Sequence, residues 1–237
     1  MVCASVFKII GKYTKTEELK FISHLDVLRL VQRAISRAEL PAKYSEGFNP
    51  HMKLSFGYPL SLGIESVGEY FELELLERVP EKEIVEKLNK VLPPKVRVVA
   101  VEYYEGKDSL MTMCKYSQYS ITIDCNNLDY EKLEKLIEVI TNEGLVVVKE
   151  KKNKPKNKVK KKEINTNEII TKARVLGLSD NSARIDAVFR TSGEGGIKIA
   201  DFIKLLEDNG IDIQYYSTLK IESLDENSKP IINTKGQ

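Results

Sequence analysis

The chain has 237 residues, of which 42% are hydrophobic and 30% are charged, which is enough apolar material for one or two packed cores. At this length we expect two small domains in preference to one large domain. The 37 basic and 35 acidic residues nearly cancel, so any binding to nucleic acid must depend on local clusters of positive charge. No apolar run is long enough to span a membrane and no signal-peptide pattern occurs, which predicts a cytoplasmic protein.

The first hundred residues alternate between strand and helix patterns in the order βαββαβ. Ser23 is a suitable N-cap for the first helix, Pro41 stops that helix, and Pro93 ends the second one. The predicted elements are a strand at 6–12, a helix at 23–39, strands at 53–60 and 68–76, a helix at 81–91 and a strand at 96–103.

After a linker at about residues 105–114, the same order of elements returns. The predicted elements are a strand at 116–124, a helix at 129–141, strands at 145–149 and 183–191, a helix at 198–209 and a strand at 211–221. The repeated order predicts an α+β fold of two tandem ferredoxin-like (βαββαβ) domains with antiparallel sheets. We expect these domains at 1–105 and 114–225, followed by a flexible tail at 226–237.

The helix at 23–39 has an apolar side and a cationic side. At 100° per residue, its apolar side carries Leu25, Leu28, Val31, Ile35 and Ala38. Arg29, Arg33 and Arg37 fall on the opposite side with Asp26. One interpretation is an ordinary solvent-exposed face on which Asp26 pairs with Arg29. The alternative is a binding face whose guanidinium groups contact phosphates or an acidic protein surface. Arginine without lysine favours the functional interpretation, because bidentate donors suit phosphate and carboxylate groups.

The seven residues SEGFNPH, which begin at Ser45, are the most specific local signal. Gly47 permits positive φ, and the proline forces Asn49 into an extended conformation, so we expect a loop of defined shape. Alternate residues of an extended segment point the same way, which places Asn49, His51 and Lys53 on one polar face. The plainer alternative is that His51 only begins a strand and Asn49 only closes the turn. The residues expected to bind RNA or a partner protein are His24, Asp26, Arg29, Arg33, Arg37, Ser45, Gly47, Asn49, His51 and Lys53.

His24 and His51 are the chain's two histidines. With Asp26 they would make a set of two histidines and one carboxylate, but no fixed ligand spacing supports such a metal site, and we predict none. General acid–base use of a histidine is the stronger chemical alternative.

Nine lysines lie between residues 149 and 162, with one glutamate and no aromatic residue. We expect a basic loop that is either mobile or in contact with RNA phosphates. Such a loop would add affinity for RNA but no sequence specificity, because it has no aromatic ring to stack on a base. The residues expected to make this non-specific contact are Lys151, Lys152, Lys154, Lys156 and Lys158.

Four segments occur in order near the N-terminus: SHLD, RAISRAELP, SEGFNPH and the run from LSLGIES to EY. Across residues 5–76 the chain resembles the radical-SAM-associated family of unknown function. In that family such a domain accompanies a radical SAM enzyme or is fused to one. The resemblance therefore implies a radical SAM enzyme as partner.

The three cysteines do not form the CxxxCxxC motif that binds a radical SAM iron–sulfur cluster. We therefore expect a non-catalytic accessory module without a cofactor, which works with a separate radical SAM enzyme. The basic features predict RNA binding, and modification of tRNA or rRNA is the expected setting. Two alternatives stay open: a metal-independent endoribonuclease that uses His24 or His51, and a purely protein-binding assembly factor.

Overall fold

The computed structural model describes residues 6–152, 159–191 and 196–233. These residues form ten strands and five α-helices, and most strands pair antiparallel, which confirms the predicted mixture of helices and antiparallel strands. The chain divides into unit 1, made of Met1–Lys115 and Leu219–Gln237, and unit 2, made of Tyr116–Thr218. In the part of the chain that is described, no helix is long and apolar enough to cross a membrane.

Unit 1 is built on a sheet with β1 at its centre. Its elements are β1 (Phe7–Lys15), α1 (His24–Arg37), β2 (Leu54–Phe56), β3 (Glu65–Leu75), α2 (Glu81–Val91), β4 (Val96–Tyr103) and the short α3 (Leu110–Met113). Strand β1 pairs antiparallel with β3 and β4, and β2 pairs antiparallel with β3, so the strand order is β4-β1-β3-β2. The helices α1 and α2 and the strand β4 lie where the sequence predicts them.

Helix α1 begins and ends at strong local signals. The Ser23 side chain accepts a hydrogen bond from the Asp26 N–H, and the Asp26 carboxylate accepts one from the Ser23 N–H, which together form a capping box. Beyond its end, Glu39 has a positive φ of 52°, which turns the chain away from the helix axis.

The buried face of α1 is rotated from the predicted one. Its buried residues are Val27, Val31, Ala34 and Ile35. The prediction that Leu25 belongs to the apolar side is wrong, because Leu25 is 60% exposed. The buried positions follow the i, i+4, i+7, i+8 pattern that begins at Val27, and Leu25 lies two residues off this stripe.

The core of unit 1 lies between α1, α2 and one face of the sheet. It contains Ile9, Ile35, Phe71, Leu73, Ile84 and Leu88, all with no measurable exposure. Burying an aliphatic or aromatic side chain of this size contributes about 1.5–3 kcal/mol. A smaller cluster that includes Ile10, Leu110 and Ile232 is also buried in unit 1.

Strand β10 (Ile213–Leu224) belongs in part to each unit. Within unit 1 its Leu219 and Lys220 pair in parallel with Glu65 and Ser66 of β3. Contacts thus assign the end of β10 and the residues after it to the first unit, whereas the sequence suggests a second domain at 114–225 and a flexible tail at 226–237. The burial of Ile232 ties part of that tail to unit 1.

Unit 2 is also built mainly from antiparallel strands. Its elements are β5 (Tyr116–Cys125), α4 (Tyr130–Glu138), β6 (Val146–Lys152), β7 (Val159–Asn165), β8 (Ile170–Ser179), β9 (Ser182–Arg190), α5 (Ile199–Asp208) and the first part of β10. The order in its main sheet is β10-β5-β9-β8, with β9 antiparallel to both β5 and β8. Its aromatic core includes Phe189, whose ring centroid lies 5.2 Å from that of Phe202.

The lysine-rich segment is not a simple loop. Strands β6 and β7 pair only with each other among the described strands, with Lys149 opposite Lys162 and Lys151 opposite Lys160. Cross-strand pairing therefore outweighs the weak strand preference of lysine. The expected contact residues Lys151 and Lys152 lie at the end of β6, while Lys154, Lys156 and Lys158 lie outside the described residues.

Candidate functional site

An open groove in unit 1 lies between the cationic face of α1 and the SEGFNPH loop. Its empty volume, open to solvent, is about 850 Å³. The helix side is lined by Gln32, Arg33, Ser36 and Arg37, and the loop side by Tyr44, Pro50, His51 and Met52. The structure thus brings two predicted arginines and one predicted histidine to one surface.

The loop side of the groove has a fixed backbone. The Ser45 N–H donates to the His51 carbonyl at 2.8 Å, and the His51 N–H donates to the Ser45 hydroxyl at 2.9 Å. Outside this pair, Tyr44 and Met52 form an antiparallel bridge. Gly47 has a φ of 118°, a conformation that other residues rarely adopt, as the sequence predicted. These contacts fix the backbone of His51 relative to the start of the loop.

The three arginines have different surroundings. The guanidinium of Arg29 lies 3.6 Å from the Asp26 carboxylate, and both side chains are more than half exposed. Arg37 donates a hydrogen bond to the Val91 carbonyl at the end of α2, at 3.4 Å. Within the described residues, Arg33 has no such ion pair or hydrogen bond, so its guanidinium is available to a ligand. Arg33 is therefore the strongest cationic candidate.

Two predicted residues of the loop lie outside the groove. Asn49 and Lys53 are exposed like His51; Met52 between His51 and Lys53 is buried, but Pro50 between Asn49 and His51 is exposed, so the predicted alternation holds only from His51 to Lys53. However, the groove is lined by His51 and by neither Asn49 nor Lys53. The Lys53 N–H donates to the Lys43 carbonyl at 2.8 Å, and the Lys53 carbonyl accepts from the Glu74 N–H of β3 at 3.0 Å, which fixes this segment to the sheet.

His24 and Asp26 do not share the groove with His51. The His24 ring lies edge-on to Phe56, 5.7 Å between centroids, and lines a different pocket. His51 instead lines the same groove as Arg37. No group of three or more metal-ligating side chains occurs within residues 6–152, 159–191 and 196–233, so the two histidines and Asp26 do not form a triad.

Sequence reasoning missed several residues of the groove. Gln32 and Ser36 lie on the same helical face as the arginines, and the helical period that identified Arg33 and Arg37 would also have found them. Tyr44, which is 47% exposed, carried no sequence signal because its position depends on its bridge to Met52. Phe48 is fully exposed at the tip of the loop.

Comparison with known families matches residues 8–198 to the family described as "Uncharacterized protein conserved in bacteria (DUF2344)". The chain therefore belongs to this family. A search of curated proteins finds no significant relative.

Similar solved structures share little sequence with the chain. A chain in the crystal structure of a Cbf5-Nop10-Gar1 complex is 10% identical, with a TM-score of 0.49, and the match covers 93% of this chain and 50% of that one. A chain of the archaeal box H/ACA sRNP Nop10-Cbf5 complex is 9% identical, with a TM-score of 0.47 and coverages of 92% and 49%. The chain spans about half the length of these structures.

Proposed function

We propose that the chain is a non-catalytic module that binds RNA for a separate radical SAM enzyme, and that the groove beside α1 is its RNA-binding surface. The observation that carries this proposal is the convergence of Arg33, Arg37 and His51 on one groove. Among the described residues that line the groove, none is acidic, so the local charge is positive although the chain is nearly neutral. Positive charge without a carboxylate favours a polyanionic ligand.

The composition of the groove supports RNA as that ligand. Guanidinium groups match phosphates in a bidentate way, and they also stack on bases. The exposed ring of Tyr44 lines the groove, and the exposed ring of Phe48 lies on the adjoining SEGFNPH loop, and each offers a flat apolar surface on which an unpaired base can stack. An acidic protein partner would use the same cations, whereas guanidinium groups beside exposed rings are the combination that binds both the phosphates and the bases of a single strand. We therefore favour single-stranded segments of RNA, as found in tRNA or rRNA loops.

The strand orders support a ferredoxin-like fold for each unit. In unit 1, the order β4-β1-β3-β2 with two long helices is the arrangement expected of a βαββαβ fold. In unit 2, the order β10-β5-β9-β8 corresponds to the same arrangement when the β6–β7 hairpin is treated as an insertion after α4. The second strand of this unit would then be β8, where the sequence suggests residues 145–149.

The radical SAM partner rests on the resemblance across residues 5–76 and on the lack of a CxxxCxxC motif in the chain. Native purification tests it directly. We expect an enzyme with a [4Fe–4S] cluster to be recovered with the tagged chain, identified by mass spectrometry and by its iron content. Recovery of the chain alone, or with proteins that lack such a cluster, would contradict this part of the proposal.

RNA binding is tested by fluorescence anisotropy with labelled tRNA and oligouridine. We expect Arg33→Glu to weaken binding at least about tenfold, because the substitution removes a charge-assisted hydrogen bond and adds a repulsion. Removing the Arg33 interaction with one phosphate should also flatten the plot of log K against log salt by about 0.7. The matched control is Lys82→Glu, which reverses a charge on α2 at a side chain that is 90% exposed and outside the groove.

Equal weakening by Arg33→Glu and Lys82→Glu would show that the groove has no special role. Unchanged binding in Arg33→Glu would have the same meaning. Cleavage of the RNA by the purified chain in EDTA, abolished in His51→Ala, would replace the accessory function by the endoribonuclease alternative.

A further inference from the structure

The hairpin of β6 and β7 in unit 2 separates its charges by face. Alternate residue pairs of an antiparallel ladder lie on the same face, so the register assigns each position to one face or the other. One face carries four lysines and no acidic residue at its described positions, and we call it the lysine face. It consists of the pairs Lys149–Lys162 and Lys151–Lys160, which continue outward from the pair Val147–Ile164.

The opposite face of the hairpin has no net charge. Its pairs, from the base outward, are Val146–Asn165, Val148–Glu163, Glu150–Lys161 and Lys152–Val159. Two lysines and two glutamates cancel on this neutral face, whereas the four lysines of the lysine face have no acidic residue to balance them. The segment is therefore strongly basic on one side only. The sequence by itself does not show this, because the register across the hairpin decides which lysines share a face.

The two lysine pairs place like charges directly opposite each other, an arrangement that ordinarily destabilises a ladder. Successive pairs on one face are about 7 Å apart, and opposite Cα atoms are about 5 Å apart, so the four positions occupy a small area. A polyanion in contact with all four would offset their repulsion and would release its own counter-ions. The charge pattern of the lysine face thus favours an anionic ligand.

Protection of exposed strand edges is the plainer explanation of such lysines. Both strands of a two-stranded hairpin are edges, and lysine commonly prevents edges from pairing with other chains. That role needs charge along the edge but has no need of one face in preference to the other. The concentration of like charge on a single face therefore favours a binding surface.

The base of the lysine face is anchored in unit 2. Ile164, which belongs to this face, is 6% exposed, whereas Val146 on the neutral face is 62% exposed. The hydroxyl of Thr166, which follows β7, accepts from the Leu145 N–H at 2.8 Å and donates to the Ile140 carbonyl at 2.7 Å. These contacts fix the point from which the hairpin extends.

RNA suits the lysine face better than an acidic protein does. Lysine binds phosphate as a point charge and needs no fixed geometry to do so. In protein–protein interfaces lysine is depleted, and the centre of the interface needs apolar or aromatic anchors. Beyond Val147 and Ile164, the described positions of the lysine face offer no such anchor. The face therefore fits the phosphate backbone of RNA and has no ring with which to contact bases.

We propose that the lysine face is a second RNA-binding surface, which holds the sugar–phosphate backbone through Lys149, Lys151, Lys160 and Lys162. This inference rests on the proposed RNA-binding function and extends it, because it adds a site in unit 2 to the groove in unit 1. It also divides the lysines that the sequence predicts to contact RNA, since Lys151 belongs to the lysine face and Lys152 to the neutral face.

The test compares two double variants of the full chain that remove the same charge. Lys151→Gln with Lys160→Gln removes one pair of the lysine face, and Lys152→Gln with Lys161→Gln removes two lysines of the neutral face. Binding of labelled oligouridine is measured by fluorescence anisotropy over a range of salt concentrations. We expect the lysine-face variant to flatten the plot of log K against log salt by about 1.4, which is two contacts at about 0.7 each. It should also bind at least about tenfold more weakly at about 0.1 M salt. The neutral-face variant should keep the slope of the wild type.

A third double variant keeps the charge of the lysine face. Lys151→Arg with Lys160→Arg should retain the affinity and the slope of the wild type, because arginine also binds phosphate. The thermal midpoint, followed by circular dichroism, shows whether each variant is folded. The glutamine substitutions on the lysine face should not lower this midpoint, because they remove a pair of like charges.

Equal slopes for the two glutamine variants would overturn the proposal, because total charge and not the face would then decide binding. A wild-type slope in the lysine-face variant would also contradict it. If Arg33→Glu still weakens binding in that case, the function of the groove survives, and if Arg33→Glu has no effect either, the proposed RNA-binding function fails as well. Loss of a co-purified protein from the lysine-face variant, with unchanged affinity for RNA, would assign the face to a protein partner and reject RNA as its ligand.

Discussion

The Nζ atom of Lys12 lies 2.5 Å from Oε2 of Glu222 in the interior of unit 1, although 210 positions separate the two residues. The other carboxylate oxygen accepts hydrogen bonds from the Tyr70 hydroxyl at 2.8 Å and the Ser223 N–H at 3.1 Å. Burial and the negative charge of Glu222 raise the pKa of Tyr70, so this hydroxyl remains a donor. Every charge in this small network therefore has a partner.

Removing Lys12 should destabilise the protein. In Lys12→Met the side chain keeps its length, but the Glu222 carboxylate stays buried without its cation. Breaking a buried ion pair in this way costs about 3–5 kcal/mol. The free energy of unfolding, measured by urea denaturation, should fall by this amount.

The same substitution at Lys15 should not lower the free energy of unfolding. Lys15→Met removes the unbalanced charge and leaves Glu69 paired with Lys220. Replacing a poorly compensated buried charge by an apolar side chain is neutral or stabilising by about 1 kcal/mol or more. A loss of stability in Lys15→Met as large as that in Lys12→Met would show that the charge of the buried Lys15 is compensated in the folded protein.

The capping box of α1 should make a measurable and pH-dependent contribution. Ser23→Ala removes the hydroxyl that accepts from the Asp26 N–H and should lower the free energy of unfolding by about 1 kcal/mol. Ser36→Ala on the same helix is the control. Among the described residues, its hydroxyl donates a hydrogen bond to the Gln32 carbonyl alone. Alanine favours a helix, so Ser36→Ala should cause no loss of stability.

Hydrogen bonds from the side chain and backbone of Ser23 hold the pKa of Asp26 below its ordinary value. Because the pKa is lower in the folded state, the ionised carboxylate stabilises the fold above the ordinary value of about 3.9. This contribution is lost as the pH falls through the folded-state pKa. The stability difference between wild type and Asp26→Asn should therefore be present at pH 7 and disappear in strong acid. A difference that persists in strong acid would show that the charge of Asp26 is not its source.

Gly68 is placed where a side chain cannot fit. A Cβ atom at this position would lie 2.5 Å from the Ile221 carbonyl oxygen and the Glu222 Cα, both backbone atoms of β10 in unit 1. Gly68→Ala should therefore destabilise the protein by about 1–3 kcal/mol through overpacking. At Gly57 the nearest atom would lie 3.7 Å away, so Gly57→Ala is the matched control and should be tolerated. Equal thermal midpoints for the two variants would contradict this packing.

Cys114 and Cys125 should be unreactive in the folded protein. Burial raises the pKa of Cys114 to about 11, and burial also raises the pKa of Cys125. Thiolate is the reactive form, so little of it is present at neutral pH. In a Cys3→Ser background, Ellman's reagent should label neither cysteine until denaturant is added. Rapid labelling of the native protein would show that these thiols are accessible.

Local signals in the sequence are strong enough to place much of unit 1. Helix α2 has the predicted bounds because two prolines follow a clear apolar period. Ser23 caps α1 as predicted, and Gly47 supplies the predicted positive φ in the SEGFNPH loop. The arginine face was also visible in the sequence, since helical period alone separates it from the core.

Features that depend on residues far apart in the chain could not be predicted from the sequence. The sequence did not predict strands β7 and β8, because charged and small residues interrupt the alternation of apolar residues in both. These strands are stabilised by pairing, β7 with β6 and β8 with β9. The buried lysines of β1 look like solvent-facing residues, and the partner of Lys12 is near the other end of the chain. The pocket lined by Tyr13, Lys15, His24, Tyr58 and Glu69 combines four separate segments, so only the folded structure brings these polar groups together.

The assignment of Glu222 to unit 1 has a consequence for biosynthesis. A ribosome completes residues 1–115 about 5–20 s before it reaches Glu222, at ordinary elongation rates. During that interval Lys12 and Tyr70 have no partner, and the nascent unit cannot finish its interior. The first part of the chain to be synthesised is therefore among the last to reach its final structure, and cutting the gene at the linker before Tyr116 would leave the N-terminal fragment incomplete.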